Sequence, residues 1–340
     1  MKIRFLFLIL VAAWASCKNS SEKTPDISNI KADVKISRFD RDFFSLDTLQ
    51  LEPSLNKLLQ QHPVFAQHYF EFYTPINQLV RSGNPKASVL TKYIRDIKQL
   101  YDSVAPRFKD LSWLEKELSL AFRYTKYYFP SFKIPAVYST VEALSPDDPE
   151  EIYGTVYFQD TISISLQMYA GSNFSGYDPK RYYDYLRLRF EPEYITRNVV
   201  RAIINAWYPE KPAPTLLQQM VNAGRRLYIM DKILPGVPDE IKPGYTKEQI
   251  KDCRKNEKLI WSHFLNNQLL YSDEPAIIRE YIGESPFTKE LGTDSPGNIG
   301  AFTGWQIVKK YMKKHSGITM EQLMNTDPGE IFSEANYKPD

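Results

Sequence analysis

The sequence of 340 residues predicts an α+β body, mostly helical, built with one small β-sheet. Three observations carry that prediction. From Pro53 to Phe129 apolar residues recur three and four apart, in LNKLLQQHPVFAQHYFEFY, SVLTKYIRDIKQLYDSV and WLEKELSLAFRYTKYYF, the period of amphipathic helices. IPAVYSTV, TVYFQD and TISISLQMYAG then follow, dense in β-branched and aromatic residues and bounded by Pro, Asp or Gly, as strands are. Helical periodicity returns near Asp178 and runs to Met324. Helices, then strands, then helices is an α+β order and lacks the strand–helix alternation of a doubly wound sheet.

At the N-terminus, MKIRFLFLILVAAWASCKNS places Lys2 and Arg4 before an apolar run from Phe5 to Ala15. That run is shorter than the roughly 20 residues of a membrane-spanning helix, and residues 1–16 read as a secretory signal peptide. Trp14-Ala15-Ser16-Cys17 resembles a bacterial lipobox, with Trp14 where leucine is usual. Cys17 is the expected lipidation site, a thioether-linked, acylated first residue that holds the mature chain on a membrane through its acyl chains. Residues 17–30, with KNSSEKTPDISNI, read as a polar tether, and 31–340 as a single domain. VKISRFDRDFFSL, Val34 to Leu46, alternates at its start and suggests a short strand entering a turn. Pro63, Pro75, Pro85 and Pro106 divide the first helical region.

Lys and Arg total 43 and Asp and Glu 41. Lys2 and Arg4 leave with the signal, so the mature chain holds 41 of each sign. Formal neutrality argues against nucleic acid as a partner. The other cysteine is Cys253, which leaves no pair for an intramolecular disulfide once Cys17 is lipidated. The 23 tyrosines and 19 phenylalanines suit a tightly packed envelope protein with amphipathic contact surfaces.

NVVRAIINAWYPE, Asn198 to Glu210, has the apolar frame of a zinc-protease helix. There, two histidines one turn apart face one metal and a glutamate beside the first activates the bound water. Here those positions hold Arg201, Ala202 and Asn205. A guanidinium is cationic at any relevant pH and repels zinc, and a methyl group is no base. No acidic residue occurs between Glu210 and Asp231, and Asn222, Ala223 and Gly224 occupy the turn where a third ligand is expected. These are degenerate metal-site positions, and no metal and no cofactor is expected. The same residues also suit a plain amphipathic helix, with Val199, Val200, Ile203, Ile204 and Trp207 inward and Arg197, Arg201 and Asn205 as its polar stripe. The four histidines, His62, His68, His263 and His315, show no ligand spacing. GSNFSGY lacks the spacing of a serine elbow, and GNIGAFTG lacks the lysine of a phosphate loop. In that last segment Gly297, Gly300 and Gly304 sit where a helix begins and predict close approach of another backbone.

Cys17, RLRFEPEYITRNVVRAIINAWYP, NAGRRLYIMDKILPG, WSHFLNNQLLYS and PGNIGAFTGWQIVKKYM together resemble the gliding motility lipoproteins of the GldB family of the Bacteroidota. That family is itself similar to predicted zinc metallopeptidases of the zincin type, whose HExxH helix would fall on Arg201 to Asn205. The resemblance implies a zincin-like, degenerate metallopeptidase body on a lipid-anchored envelope protein of the gliding apparatus, which is linked to type IX secretion. It implies partners among other gliding or secretion machinery proteins, and a non-catalytic binding or scaffolding module rather than an enzyme. The alternative is an unrecognised active metallopeptidase-like hydrolase of the envelope. Lysine at position 18 and a tether without a dense acidic run point to the outer membrane, facing the periplasm.

Overall fold

The computed structural model describes residues 24–339 apart from 75, 82, 84–85, 146–150 and 211–212. The expected signal peptide and the expected lipidation site Cys17 therefore lie outside the described residues. Of the expected tether, Ile27 already leans on the main core.

Strand β1 (Ile36–Ser37) runs straight into helix α1 (Phe39–Phe44), so the segment expected to end in a turn is helical. Four helices follow: α2 (Leu51–Gln61), α3 (Pro63–Phe72), α4 (Ile76–Arg81) and α5 (Lys86–Val104). Pro63 opens α3, where its missing N–H and fixed φ cost nothing. Pro106 lies in a 3-10 turn, Ala105–Phe108, ahead of α6 (Ser112–Tyr128).

The sheet comprises β1, β2 (Ala136–Thr140), β3 (Thr155–Phe158) and β4 (Thr161–Ser165) in the order β1-β2-β4-β3. β1 and β4 flank β2 in parallel, and β3 closes the other edge antiparallel to β4, with Phe158 opposite Thr161. Gln159 and Asp160 join β3 to β4 with positive φ, 45° and 57°, the backbone of a two-residue hairpin turn. β4 is therefore an inner strand, paired on both sides, and Leu166–Tyr169 beyond it is a 3-10 turn.

After a turn-rich loop come α7 (Asp184–Arg187), α8 (Ile195–Trp207), α9 (Leu216–Ile233), α10 (Lys247–Lys255), α11 (Glu257–Asn266), α12 (Pro275–Ile282), α13 (Ile299–Lys314), α14 (Met320–Asn325) and α15 (Pro328–Ala335). The continuous stretch Lys247 to Tyr271 is broken at Asn256 into α10 and α11. α9, α10 and α14 each begin at a threonine whose hydroxyl accepts from the backbone N–H three residues on, while that residue's glutamine side chain accepts from the threonine N–H. Such reciprocal caps satisfy two otherwise orphaned donors at each helix start.

Two apolar clusters organise the packing. The larger joins the sheet to α6, α8, α9 and α13. The smaller is made by α1 to α5 and is largely aromatic, with Phe39, Phe43, Phe65 and Tyr69 in mutual ring contact. Ring quadrupoles favour the edge-to-face and offset geometries seen there. α9 and α13 pack most closely: a Cβ at Gly224 would lie 2.1 Å from the Gly304 carbonyl carbon, and one at Gly304 would lie 1.7 Å from the Met220 carbonyl oxygen. Only glycine permits that approach, as the sequence predicts for position 304. No described helix is long and apolar enough to cross a membrane.

Candidate functional site

Helix α8 packs on β3 on one side and on α6 and α9 on the other. Val199, Val200, Ile203 and Ile204 are buried as its periodicity demands, whereas Trp207 is only half-buried. Its first two turns are buried all round, which corrects the polar stripe expected at Arg197: this arginine is 6% exposed. Burial is tolerable because its polar atoms are satisfied. Arg197 Nε donates to the Lys242 carbonyl oxygen at 3.0 Å and Nη1 to Asn198 Oδ1 at 2.8 Å. Asn198 Nδ2 in turn donates to the Tyr153 carbonyl oxygen and the Tyr169 hydroxyl. The residue that anchors the Arg197 guanidinium, Lys242, is itself 2% exposed, with its ammonium shared between Asp231 and Asp239.

One turn further along α8 opens a cleft of about 690 Å³ between α8, α9 and α13. Arg201 and Asn205 both line it, with Asn222 from α9. Arg201, Asn205 and Asn222 thus share the walls of one cavity. Residues 222–224 lie within helix α9, not in the turn expected there. Ala202, half-buried, is not among the lining residues.

The chemistry of the lining is that of cations and amides. The Arg201 guanidinium carbon lies 3.2 Å from the Tyr153 ring centre, a cation–π stack. Arg226 Nη1 donates to Asn205 Oδ1 at 2.8 Å and Nη2 to the Tyr208 carbonyl oxygen at 2.6 Å. Arg225 Nη1 donates to the Thr326 carbonyl oxygen at 3.1 Å. Burial lowers the pKa of Arg197 to about 10, helped by the positive charges of Arg189 and Arg201. Arg225 and Arg226 shift the same way, first through burial; a neighbouring arginine adds to this in each, while the Asp327 charge opposes it at Arg225 and the Glu210 charge at Arg226. Glu284 guards one end, gripped by both Nη atoms of Arg189 at 2.9 Å and by the Tyr153 hydroxyl at 3.1 Å. Burial works against its charged form, yet the Arg189 charge and hydrogen bonds hold its carboxyl below the usual range.

A zinc ion does not fit these residues. Arg201 brings a positive charge to one ligand position and Asn205 Oδ1 already accepts from Arg226 at the other; a divalent cation needs neutral imidazole or carboxylate there. The histidines are spread through the fold. His62 Nε2 lies 2.8 Å from Asp42 Oδ2, His68 stacks on Phe158, His263 Nε2 lies 2.8 Å from the Tyr281 hydroxyl, and His315 contacts Glu334 at 3.0 Å. Among the described residues no three His, Cys, Asp or Glu side chains converge as a metal set. Cys253 is buried, and burial pushes its thiol up to about 12, far from the thiolate that reactivity requires.

Sequence reasoning missed Arg225 and Arg226 as cleft residues. The adjacent pair in NAGRRLY is visible in the sequence, but which face of α9 meets a cavity is set by the packing of α13.

Fold and cleft together define a mostly helical α+β protein with an arginine-lined cavity beside a small mixed sheet. The family model described as gliding motility protein GldB matches residues 20–339, and the chain belongs to that family of gliding motility lipoproteins. No curated protein and no solved structure matches it.

Proposed function

We propose that this protein is a lipid-anchored, non-catalytic binding module of the gliding apparatus, attached by acyl chains on Cys17 to the outer membrane and facing the periplasm. Its body is read as a zincin-like scaffold whose metal site has been replaced. Support for that reading comes from α8 lying against the sheet beside the antiparallel edge strand β3, with Arg201, Ala202 and Asn205 where a metallopeptidase has its two ligands and its base. The single observation that carries the non-catalytic reading is the Arg226–Asn205 hydrogen bond across the cleft. It replaces a metal–ligand bond with a structural link between α8 and α9. Partners are other proteins of the gliding or secretion machinery, as family membership suggests.

Two measurements test the two halves of the proposal. Cys17→Ala is expected to release the protein from the membrane fraction and to impair gliding; unchanged fractionation and motility would remove the anchored-module reading. Elemental analysis of the purified protein is expected to find no stoichiometric metal. One equivalent of zinc or iron, together with peptide hydrolysis, would replace this reading with that of an active envelope hydrolase.

A further inference from the structure

Among the described residues of the cleft, arginines outnumber carboxylates. Four arginines line it, Arg197 and Arg201 from α8 and Arg225 and Arg226 from α9, against Glu210 and Glu284. Glu284 is committed to Arg189 through a two-pronged ion pair. Among the described residues, Arg197, Arg225 and Arg226 donate only to neutral oxygens: the carbonyls of Lys242, Thr326 and Tyr208 and the side-chain amides of Asn198 and Asn205. Guanidinium groups withdrawn from solvent and hydrogen-bonded only to neutral oxygens are costly to keep charged, and burial lowers the pKa of all three.

Independent of charge, three polar atoms in the same lining have no hydrogen-bond partner though buried: Arg225 Nε, Asn222 Oδ1 and Asn298 Oδ1. Buried polar groups are nearly always satisfied in a functional state, so their clustering in one cavity indicates a polar occupant. Ile204, Leu227, Met230 and Met324 share the walls with them. A small inorganic anion would leave that apolar surface uncovered, whereas a peptide with acidic and aliphatic side chains meets both. The planar guanidinium fork also matches a carboxylate in two-pronged geometry. Among the described residues no lysine lines the cleft.

We propose that this cleft binds a carboxylate-bearing peptide segment of a partner protein, its acid groups received by the arginines of α8 and α9 and its carbon side chains by the apolar walls. This deepens the reading of the cleft as a binding site that performs no reaction, and rests on it. The volume lies within the range of ligand-binding cavities.

The test uses the full-length lipoprotein in detergent, titrated with a fluorescein-labelled hexapeptide of alternating glutamate and leucine and followed by anisotropy. Binding is expected, with the glutamine-for-glutamate peptide at least tenfold weaker and affinity falling as salt rises. Arg225→Gln and Arg226→Gln are each expected to weaken binding about tenfold, while Arg95→Gln, at an exposed position of α5 outside the cleft, leaves it unchanged. Because Arg226 also ties α9 to α8, thermal unfolding accompanies each variant, and Arg226→Lys, which keeps the charge but loses the fork, should lose less affinity than Arg226→Gln. Equal binding of the glutamine peptide, full affinity in the Arg225→Gln/Arg226→Gln double variant, or displacement by inorganic phosphate at the peptide's own concentration would overturn the proposal. Mass spectrometry of the recovered peptide separates the two readings. An intact bound peptide supports both, a cleaved one removes only the non-catalytic reading, and absence of binding removes only the acidic-peptide assignment.

Discussion

Glu142 follows β2 and is buried, its Oε1 accepting from the Ser165 hydroxyl while Oε2 has no partner. Burial raises its pKa, and the hydrogen bond from Ser165 only partly opposes that. A carboxyl whose folded pKa exceeds its unfolded one favours folding in its neutral form. Its contribution is complete below the ordinary glutamate range and is lost as pH rises through the raised folded value. Glu142→Gln should therefore raise the thermal midpoint at pH 7 relative to the parent, the difference closing toward pH 4; calorimetry across that range checks it. Lys242 presents the opposite arrangement, a buried cation with two acids. Burial alone would raise the Asp239 pKa, but the hydrogen bonds and charges of Lys242 and Arg254 lower it. Lys242→Met leaves Asp231 and Asp239 facing each other without the ammonium, and should cost about 3–5 kcal/mol in denaturant unfolding.

Elements are held at measured closeness where side chains are absent. Gly304→Ala places a methyl group 1.7 Å from a backbone carbonyl oxygen of α9, a clash that neither helix can relieve by rotating a side chain. The expected loss is at least about 3 kcal/mol, since overpacking of this kind moves backbone. Gly300→Ala meets the Ile282 side chain and the Tyr281 carbonyl oxygen at 2.8 Å and should cost less, giving an order that urea unfolding of the two variants resolves. At the N-terminus of α9, Thr215→Ala removes the reciprocal cap with Gln218 and should cost about 1 kcal/mol. All three changes act on the helix that carries Arg225 and Arg226, so any affinity they lose for an acidic peptide should follow their loss of stability.

Across the whole molecule, the aromatic cluster of α1 to α5 meets the sheet through ring contacts and hydrogen bonds. Tyr138 of β2 stacks on Phe65 with ring centres 3.9 Å apart, and the Tyr69 hydroxyl donates to the Val141 carbonyl oxygen at 3.0 Å. Tyr69 is fully enclosed, and burial raises its pKa well above the ordinary tyrosine value, so the hydroxyl stays a neutral donor. Tyr69→Phe leaves the Val141 carbonyl oxygen without that donor, at a cost of about 1–3 kcal/mol. Hydrogen exchange should then quicken in α2 and α3 more than in α9 and α13. A uniform increase across all helices would show the two clusters unfolding as one unit.

The helical regions, the three larger strands, the close approach at Gly304 and the resemblance to the GldB family were legible in the residue order. Each depends on local periodicity, turn chemistry or a run of identities along the chain. The helix at Phe39–Phe44 was less legible, because a six-residue helix carries too few turns to show a period. Likewise the inner position of β4 and the burial of Arg197 were invisible, since each is decided by what packs from elsewhere. For the cleft, sequence alone determined that positions 201, 202 and 205 of one helix hold an arginine, an alanine and an asparagine, with no imidazole or carboxylate among them. That Arg225 and Arg226 face the same space, and that their charge meets amides instead of carboxylates, only the tertiary structure decided. Charge balance over the whole chain is a sum, whereas the field inside a cavity depends on which few groups the packing brings within several ångströms of one another.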